Sequence, residues 1–581
     1  MLCLRFITCL CFTAAFALAT NHAALASPTE DLHQLLRDHW AHQVQEQIFY
    51  RTDPDAWRMN GKLSEHTAAA RERRHSANGV FLSRLAAIDP TKLQGEDRVS
   101  YKVFKYERES ERDSYAIPNH RFPITSLFGY HSYYAEAPAA MSFLTATDYD
   151  RYLISLADFP RYNAEHIANM QEAVDTGYTH YCGSIENYGK TITTHIVDNV
   201  ENSTLYHPFG NFPASVTAAE REKYTRAGSQ LIAEVIVPEY KRLARFFSDV
   251  YLPACRKNPG VTSVQGGDAF YAFQIRYFTT TDMTPREIHN LGLTEVARIR
   301  EEMQGIIEAV GFDGEFLDFL EYLRTEPRFY PKSVSELLGR AALISKTAEG
   351  ALPKFFSLLP RGTYSVQANP NRGTFYMPSS GDGTTSGTYF VSTKDLKSQS
   401  FYTLEALSLH EGVPGHHLQS ALAKELGLPD FRRSLYHAAY GEGWGLYSER
   451  LGKEMGFYQD PYSDFGRLTY EAWRAVRLVI DTGMHAFGWS REKAVNFMLA
   501  NAGLSVVEAN DEVDRYITWP AQALSYKIGE LKIRELRAKA EEALGADFDI
   551  RRFHDEVVGH GSLPIAVLEE LINEWIVSEK S

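Results

Sequence analysis

Three imidazoles and a carboxylate fall within eight residues at His410-Glu411-Gly412-Val413-Pro414-Gly415-His416-His417. That composition suits a metal ion. Zinc takes neutral imidazole nitrogen at about 2.0–2.1 Å, and a hydrolytic zinc site needs a nearby carboxylate to accept a proton from bound water. Glu411 follows His410 as the general base follows the first ligand of an H-E-x-x-H helix. Position 414, where that pattern needs its second histidine, is proline, and the next imidazoles stand six and seven residues after His410. On an unbroken helix His417 would share a face with His410 but lie about 10 Å along the axis, too far for one ion. Pro414 argues against an unbroken helix, because it lacks an N–H and its ring clashes with the carbonyl four residues back, and Gly415 tolerates backbone angles other residues avoid. A bulge absorbing two residues within Gly412–Gly415 would carry His416 to the place of the ordinary i,i+4 ligand, and such bulges recur at functional sites. The expected ligands are therefore His410 and His416, with His417 outside them as a substrate-binding group.

A third ligand is expected on the next helix. The segment Gly441-Glu442-Gly443-Trp444-Gly445-Leu446-Tyr447-Ser448-Glu449 offers two carboxylates, and Glu442 lies 26 residues after His416. That distance lets one helix finish, a turn form near Gly427-Leu428-Pro429, and a second helix return. Three glycines in five positions cost a helix about 1 kcal/mol each against alanine, which close backbone packing beneath a metal would justify.

The run H-E-G-V-P-G-H-H-L-Q, the segment G-E-G-W-G-L-Y-S-E and Gln522-Ala523-Leu524-Ser525-Tyr526-Lys527 together resemble a bacterial family catalogued as a domain of unknown function, number 885. The resemblance covers nearly all of the chain after its apolar start, and the first motif is its most specific part. That family is similar to the helical gluzincins, such as thimet oligopeptidase, angiotensin-converting enzyme and carboxypeptidase Taq, which hold zinc with two histidines and a downstream glutamate. Dipeptidyl peptidase III binds zinc with one residue inserted in the motif; this chain has two. The resemblance implies a large two-lobed, helical, zincin-like fold, zinc as cofactor on His410, His416 and Glu442, and Glu411 as general base. Helical gluzincins stabilise the oxyanion with a tyrosine from a late helix, which makes Tyr526 the candidate here.

The elements that must position these residues read as mainly α. Helical periodicity runs from Thr29 to about Asp113, with polar spacers such as Asn78-Gly79, and again from Asp148 to about Arg256. Between Ile117 and Ala139 aromatic residues and prolines crowd into an irregular, partly buried segment that is either core or the wall of a cleft. Thr284-Pro285-Arg286-Glu287 combines an N-cap, proline at the first helical position and a capping-box glutamate. Ser333-Val334-Ser335-Glu336 and Ser505-Val506-Val507-Glu508 start helices by the same logic. Short aromatic, β-branched runs at 363–368, 373–377 and 387–392 predict a small β-sheet immediately before the metal helix. It is either a structural hairpin or an edge that pairs with an extended peptide. In the predicted helix 471–487, Arg477, Asp481 and His485 follow one another at i,i+4, on one face. Either Arg477 and Asp481 pair, or Asp481 supports the site while His485 donates a hydrogen bond to the transition state. Lys527 and Arg477 are the cations expected to hold a substrate carboxylate.

With 581 residues, 44% of them hydrophobic, the chain can build a sizeable core. Arg5, an apolar run from Phe6 to about Ala19 and Ala24-Leu25-Ala26 read as a signal peptide over residues 1–26, cleaved before Ser27. The expected mature chain, 27–581, is one two-lobed metallopeptidase-like unit with its metal-site half at about 360–581, exported to the periplasm or secreted, and without a membrane span. It carries 59 bases against 74 acids, a net charge of −15, which argues against nucleic acid as a partner. Cys182 and Cys255 are the cysteines it retains. In an oxidising compartment they are expected to form a disulfide; the alternative is two buried thiols.

These readings converge on an exported zinc-dependent hydrolase of peptide bonds in short extended peptides, acting as a carboxypeptidase or dipeptidase. The alternatives are a hydrolase of a non-peptide amide and a periplasmic metal- or peptide-binding protein without catalysis.

Overall fold

The computed structural model describes residues 27–46, 61–139, 141–380 and 385–580. The predicted signal peptide and the tip of the glycine-rich loop, 381–384, lie outside them. The described fold is mainly α with a single three-stranded sheet. No described helix is long and apolar enough to cross a membrane.

The first helices, Pro28–Glu46, Ala68–Ala86 and Gly95–Ser114, do not form a separate unit. Leu32, Leu35, Phe81, Leu85, Val103 and Phe104 share one hydrophobic cluster with Phe431, Trp444, Leu536 and Leu568. Asn78-Gly79 is no spacer: it lies inside the second helix, where the Asn78 amide donates to the carbonyl of Arg108 at 2.8 Å and ties two helices together. A second, aromatic-rich cluster is built from residues between Leu63 and Cys255, including Tyr130, Tyr134, Tyr152, Phe159, Tyr240 and Tyr251. The crowded 117–139 segment contributes a helix at Tyr130–Glu136, and its Tyr130 and Tyr134 are core residues. Its Phe128 meets Trp519 edge-on, with ring centres 5.2 Å apart. Cys182 and Cys255 are joined by a disulfide within this half.

The helices that carry the site come later. Helix α1, Pro285–Ala309, begins with the Thr284/Glu287 capping box. Helix α2, Val334–Ala351, is capped by Ser333. The sheet follows, with β1 at Tyr364–Asn369, β2 at Phe375–Met377 and β3 at Gly387–Ser392. Its order is β1-β3-β2, with β1 parallel to β3 and β2 antiparallel to it, so β1 and β2 are its edges. Helices α3 (Phe401–Glu411), α4 (His416–Glu425), α5 (Ala438–Leu451), α6 (Pro461–Ala486), α7 (Val506–Thr518) and α8 (Ser525–Leu544) complete the half. Helix α6 packs along α1 and α3, and α5 packs along α8 and α3.

A buried ion cluster fixes three of these helices to one another. The Lys527 ammonium on α8 lies 3.0 Å from Glu295 on α1, 2.8 Å from Glu471 on α6 and 2.9 Å from Glu530 on its own helix. Arg298, Arg467 and Arg534 pair with the same carboxylates, so acids and bases in the cluster compensate the desolvation that each charge would otherwise suffer alone.

Candidate metal centre

The helix carrying His410 ends at Glu411, and α4 begins at His416. In a continuous helix the carbonyl of Leu409 would accept from residue 413. Here it accepts from Gly415 at 3.0 Å, so two residues are absorbed and His416 arrives where residue 414 would have stood. The path is tight: a Cβ on Gly415 would lie 2.0 Å from the carbonyl oxygen of His410. The interruption is pinned from α5, whose buried Trp444 donates its indole N–H to the carbonyl of Pro414 at 2.8 Å.

His410, His416 and Glu442 present ligand atoms that all lie within 4.8 Å of one another. One carboxylate oxygen of Glu442, Oε2, is 3.6 Å from His410 Nε2 and 3.5 Å from His416 Nε2, and the imidazole rings stand nearly perpendicular with centres 4.7 Å apart. Glu449, two turns after Glu442 on α5, takes His410 Nδ1 at 2.8 Å, which leaves Nε2 as the atom facing the cluster. A metal-bound histidine characteristically has its other nitrogen held in this way, fixing ring orientation. Two nitrogens, one oxygen and an oriented imidazole are a donor set that fits zinc. Burial disfavours charge at His410, but hydrogen bonds with Glu442 and Glu449 outweigh it and raise the imidazole to about 9. Burial likewise opposes ionisation of Glu442, and the two imidazoles outweigh it, holding the carboxyl well below its usual range. The cluster therefore attracts positive charge.

The glycines of α5 make room for this arrangement. A Cβ on Gly445 would stand 2.6 Å from Cε1 and 2.8 Å from Nε2 of His410, and one on Gly443 would stand 2.5 Å from the Cα of Gly529 on α8. One glycine admits the His410 ring and the other admits the neighbouring helix.

Glu411 is buried, 8% exposed, and no hydrogen bond to its carboxylate occurs among the described residues. Tyr526, at the start of α8, is half-buried. Burial and, after it, the charge of Glu442 raise its phenol above the ordinary range, with Arg477, Arg515 and Arg474 pulling the other way, so it remains a donor at neutral pH.

Other candidates sit elsewhere. His417 makes no hydrogen bond to the cluster: its Nε2 donates to the carbonyl of Gly362 at 3.0 Å and its Nδ1 accepts from Tyr376 at 2.8 Å, fastening α4 to the sheet. Lys527 is wholly buried among its three carboxylates, with no free charge for a substrate. Arg477 donates through Nε to Tyr516 at 2.7 Å and through Nη2 to Glu512 at 3.2 Å, and its guanidinium carbon lies 4.5 Å from the Tyr526 ring centre. It does not pair with Asp481, and its Nη1 is buried without a hydrogen-bond partner among the described residues. Asp481 accepts from Tyr271 at 2.6 Å and from the backbone of Ala521. His485 is fully buried, accepting from Val261 N–H at Nδ1 and donating from Nε2 to the carbonyl of Tyr516, and burial lowers it to about 3. A neutral imidazole with both nitrogens committed to backbone is no transition-state donor. The i,i+4 spacing is real, but that face of α6 meets core.

Two contributors have little local sequence signal. Glu449 was one of two carboxylates in its segment, and only the fold assigns it to His410 Nδ1. Tyr436, in the loop before α5, donates to the other oxygen of Glu442, Oε1, at 2.8 Å.

A sequence profile matches residues 49–572. The chain belongs to the family described as bacterial protein of unknown function, DUF885. Among solved structures, one described as "the putative lipoprotein from Colwellia psychrerythraea" is 26% identical, with TM-score 0.86 over 95% of this chain and 100% of that one. Another, described as "a putative lipoprotein of unknown function from Shewanella oneidensis", is 17% identical, with TM-score 0.72 over 94% of this chain and 100% of that one. No functionally curated protein matches this DUF885 chain.

Proposed function

We propose that this DUF885 protein is an exported metal-dependent hydrolase that cleaves peptide bonds in short, extended peptides, with zinc held by His410, His416 and Glu442. The observation carrying the reading is the convergence of those three side chains beside a buried carboxylate, Glu411, that has no hydrogen-bond partner of its own among the described residues. A metal-storage site needs ligands but no such base. When bound, zinc acidifies coordinated water and polarises a carbonyl. Glu411 accepts the proton of the attacking water and passes it to the leaving amine. Tyr526, protonated, donates to the scissile carbonyl oxygen as negative charge develops. Glu449 keeps the His410 ring in the one orientation that serves the site. The motif resemblance to helical gluzincins supports the class, and the disulfide and neighbours described as putative lipoproteins support the export.

The test is metal analysis of the purified protein together with digestion of a peptide mixture by the wild type and Glu411→Gln. The expected result is about one zinc per chain in both and cleavage by the wild type alone. Zinc without cleavage in either would leave a binding protein, and neither zinc nor activation by added zinc would remove the reading.

A further inference from the structure

We infer that Tyr436 is a positioning residue for Glu442, engaging one carboxylate oxygen so that only the other is presented to the two histidines; this rests on the metal-site reading above. The phenol donates to Oε1 at 2.8 Å, whereas Oε2 is the oxygen lying 3.6 and 3.5 Å from the imidazole nitrogens. A carboxylate can serve a metal through one oxygen or through both. A donor fixed on Oε1 settles that choice in favour of one, and a catalytic centre gains from it, because the coordination position not taken by protein is the one available to water or substrate.

The placement of Tyr436 is built rather than incidental. Its ring lies so close over the first turn of α5 that a Cβ on Gly441 would come within 2.4 Å of Cε2. The residues on either side are anchored: Leu435 packs against the main core, the backbone N–H of His437 donates to Ser562 at 2.8 Å, and His437 Nε2 meets Glu107 at 2.9 Å. Glu107 belongs to the Gly95–Ser114 helix and Ser562 to the turn before the last helix, Ile565–Glu579. Helices remote in sequence thus hold the backbone from which the phenol reaches Glu442. Tyr436 is itself 58% exposed, so these anchors and the Glu442 bond, rather than burial of the ring, keep it in place.

The experiment uses the full chain and Tyr436→Phe, which keeps the ring over Gly441 and removes the hydroxyl. Zinc affinity is measured by competition with a chromophoric chelator, and the visible absorption of the cobalt(II)-substituted protein reports coordination number. Tyr436→Phe should weaken zinc binding about 10- to 100-fold and change the intensity of the cobalt bands, with the thermal unfolding of the metal-free protein unchanged. Glu107→Gln, which leaves the phenol intact and loosens His437, should weaken zinc binding by a smaller factor and supplies the comparison if Tyr436→Phe fails to fold. Wild-type affinity and an unchanged cobalt spectrum in the folded Tyr436→Phe protein, or wild-type affinity in Glu107→Gln if only that variant folds, overturn this inference alone. A wild type that binds neither metal overturns the metal-site reading and this inference with it.

Discussion

Replacing Gly445 by alanine tests whether α5 is shaped around the His410 imidazole. The added methyl would sit 2.6 Å from Cε1, 2.8 Å from Nε2 and 2.9 Å from Nδ1 of that ring. Carbon contacts are comfortable at about 3.5–4.0 Å, so the ring must retreat by about 0.9 Å or tilt. It is not a loose side chain: it is 3% exposed and tied to Glu449 at 2.8 Å. Metal–ligand distances tolerate only about 0.2 Å, so a displacement of that size removes His410 from the donor set or breaks its bond to Glu449. Zinc affinity should fall at least 100-fold, about 2.7 kcal/mol. The assay is competition against a chelator of known affinity, run beside circular dichroism of the metal-free protein to establish that the variant is folded. A folded Gly445→Ala protein that binds zinc within twofold of the wild type would refute the claim that this glycine exists to admit the His410 ring.

Lys527→Met should cost up to about 3 kcal/mol of stability, because Glu295, Glu471 and Glu530 lose the cation they share and keep only Arg298, Arg467 and Arg534 as partners; denaturant unfolding measures this. A stable variant with weakened binding of peptides bearing a free C-terminal carboxylate would instead return Lys527 to substrate binding. Asp481→Asn addresses pH dependence. Burial raises the Asp481 carboxyl from 3.8 to about 7, so its contribution to stability is fully present below about pH 4 and is lost as pH rises through 7. Asparagine keeps an oxygen for Tyr271 and cannot ionise, so the variant should gain on the wild type above pH 7, by about 4 kcal/mol at most, and not near pH 4. A stability difference that does not vary between pH 4 and 8 would contradict the assignment.

Much of the site was legible because its signals are local. His410, Glu411 and His416 lie in one short run, and the chemistry of proline and glycine within that run was enough to predict how many residues the chain had to absorb. Helix starts at Thr284, Ser333 and Ser505 were readable because a cap is made by residues three apart. The small sheet was readable from β-branched and aromatic runs. Periodicity, by contrast, reports which residues share a face and says nothing of what that face meets. Arg477, Asp481 and His485 do share one, but α7 and the segment around Val261 and Ala521 cover it. Lys527 follows Tyr526 in sequence, yet the helical twist turns it away from Glu442 toward α1 and α6. His417 follows His416, and the same rotation sends it to the sheet. Glu449 and Tyr436 became partners of His410 and Glu442 only when helices distant in sequence were packed, since a hydrogen bond at 2.8 Å depends on the relative placement of whole elements, and no spacing within a single element encodes that placement.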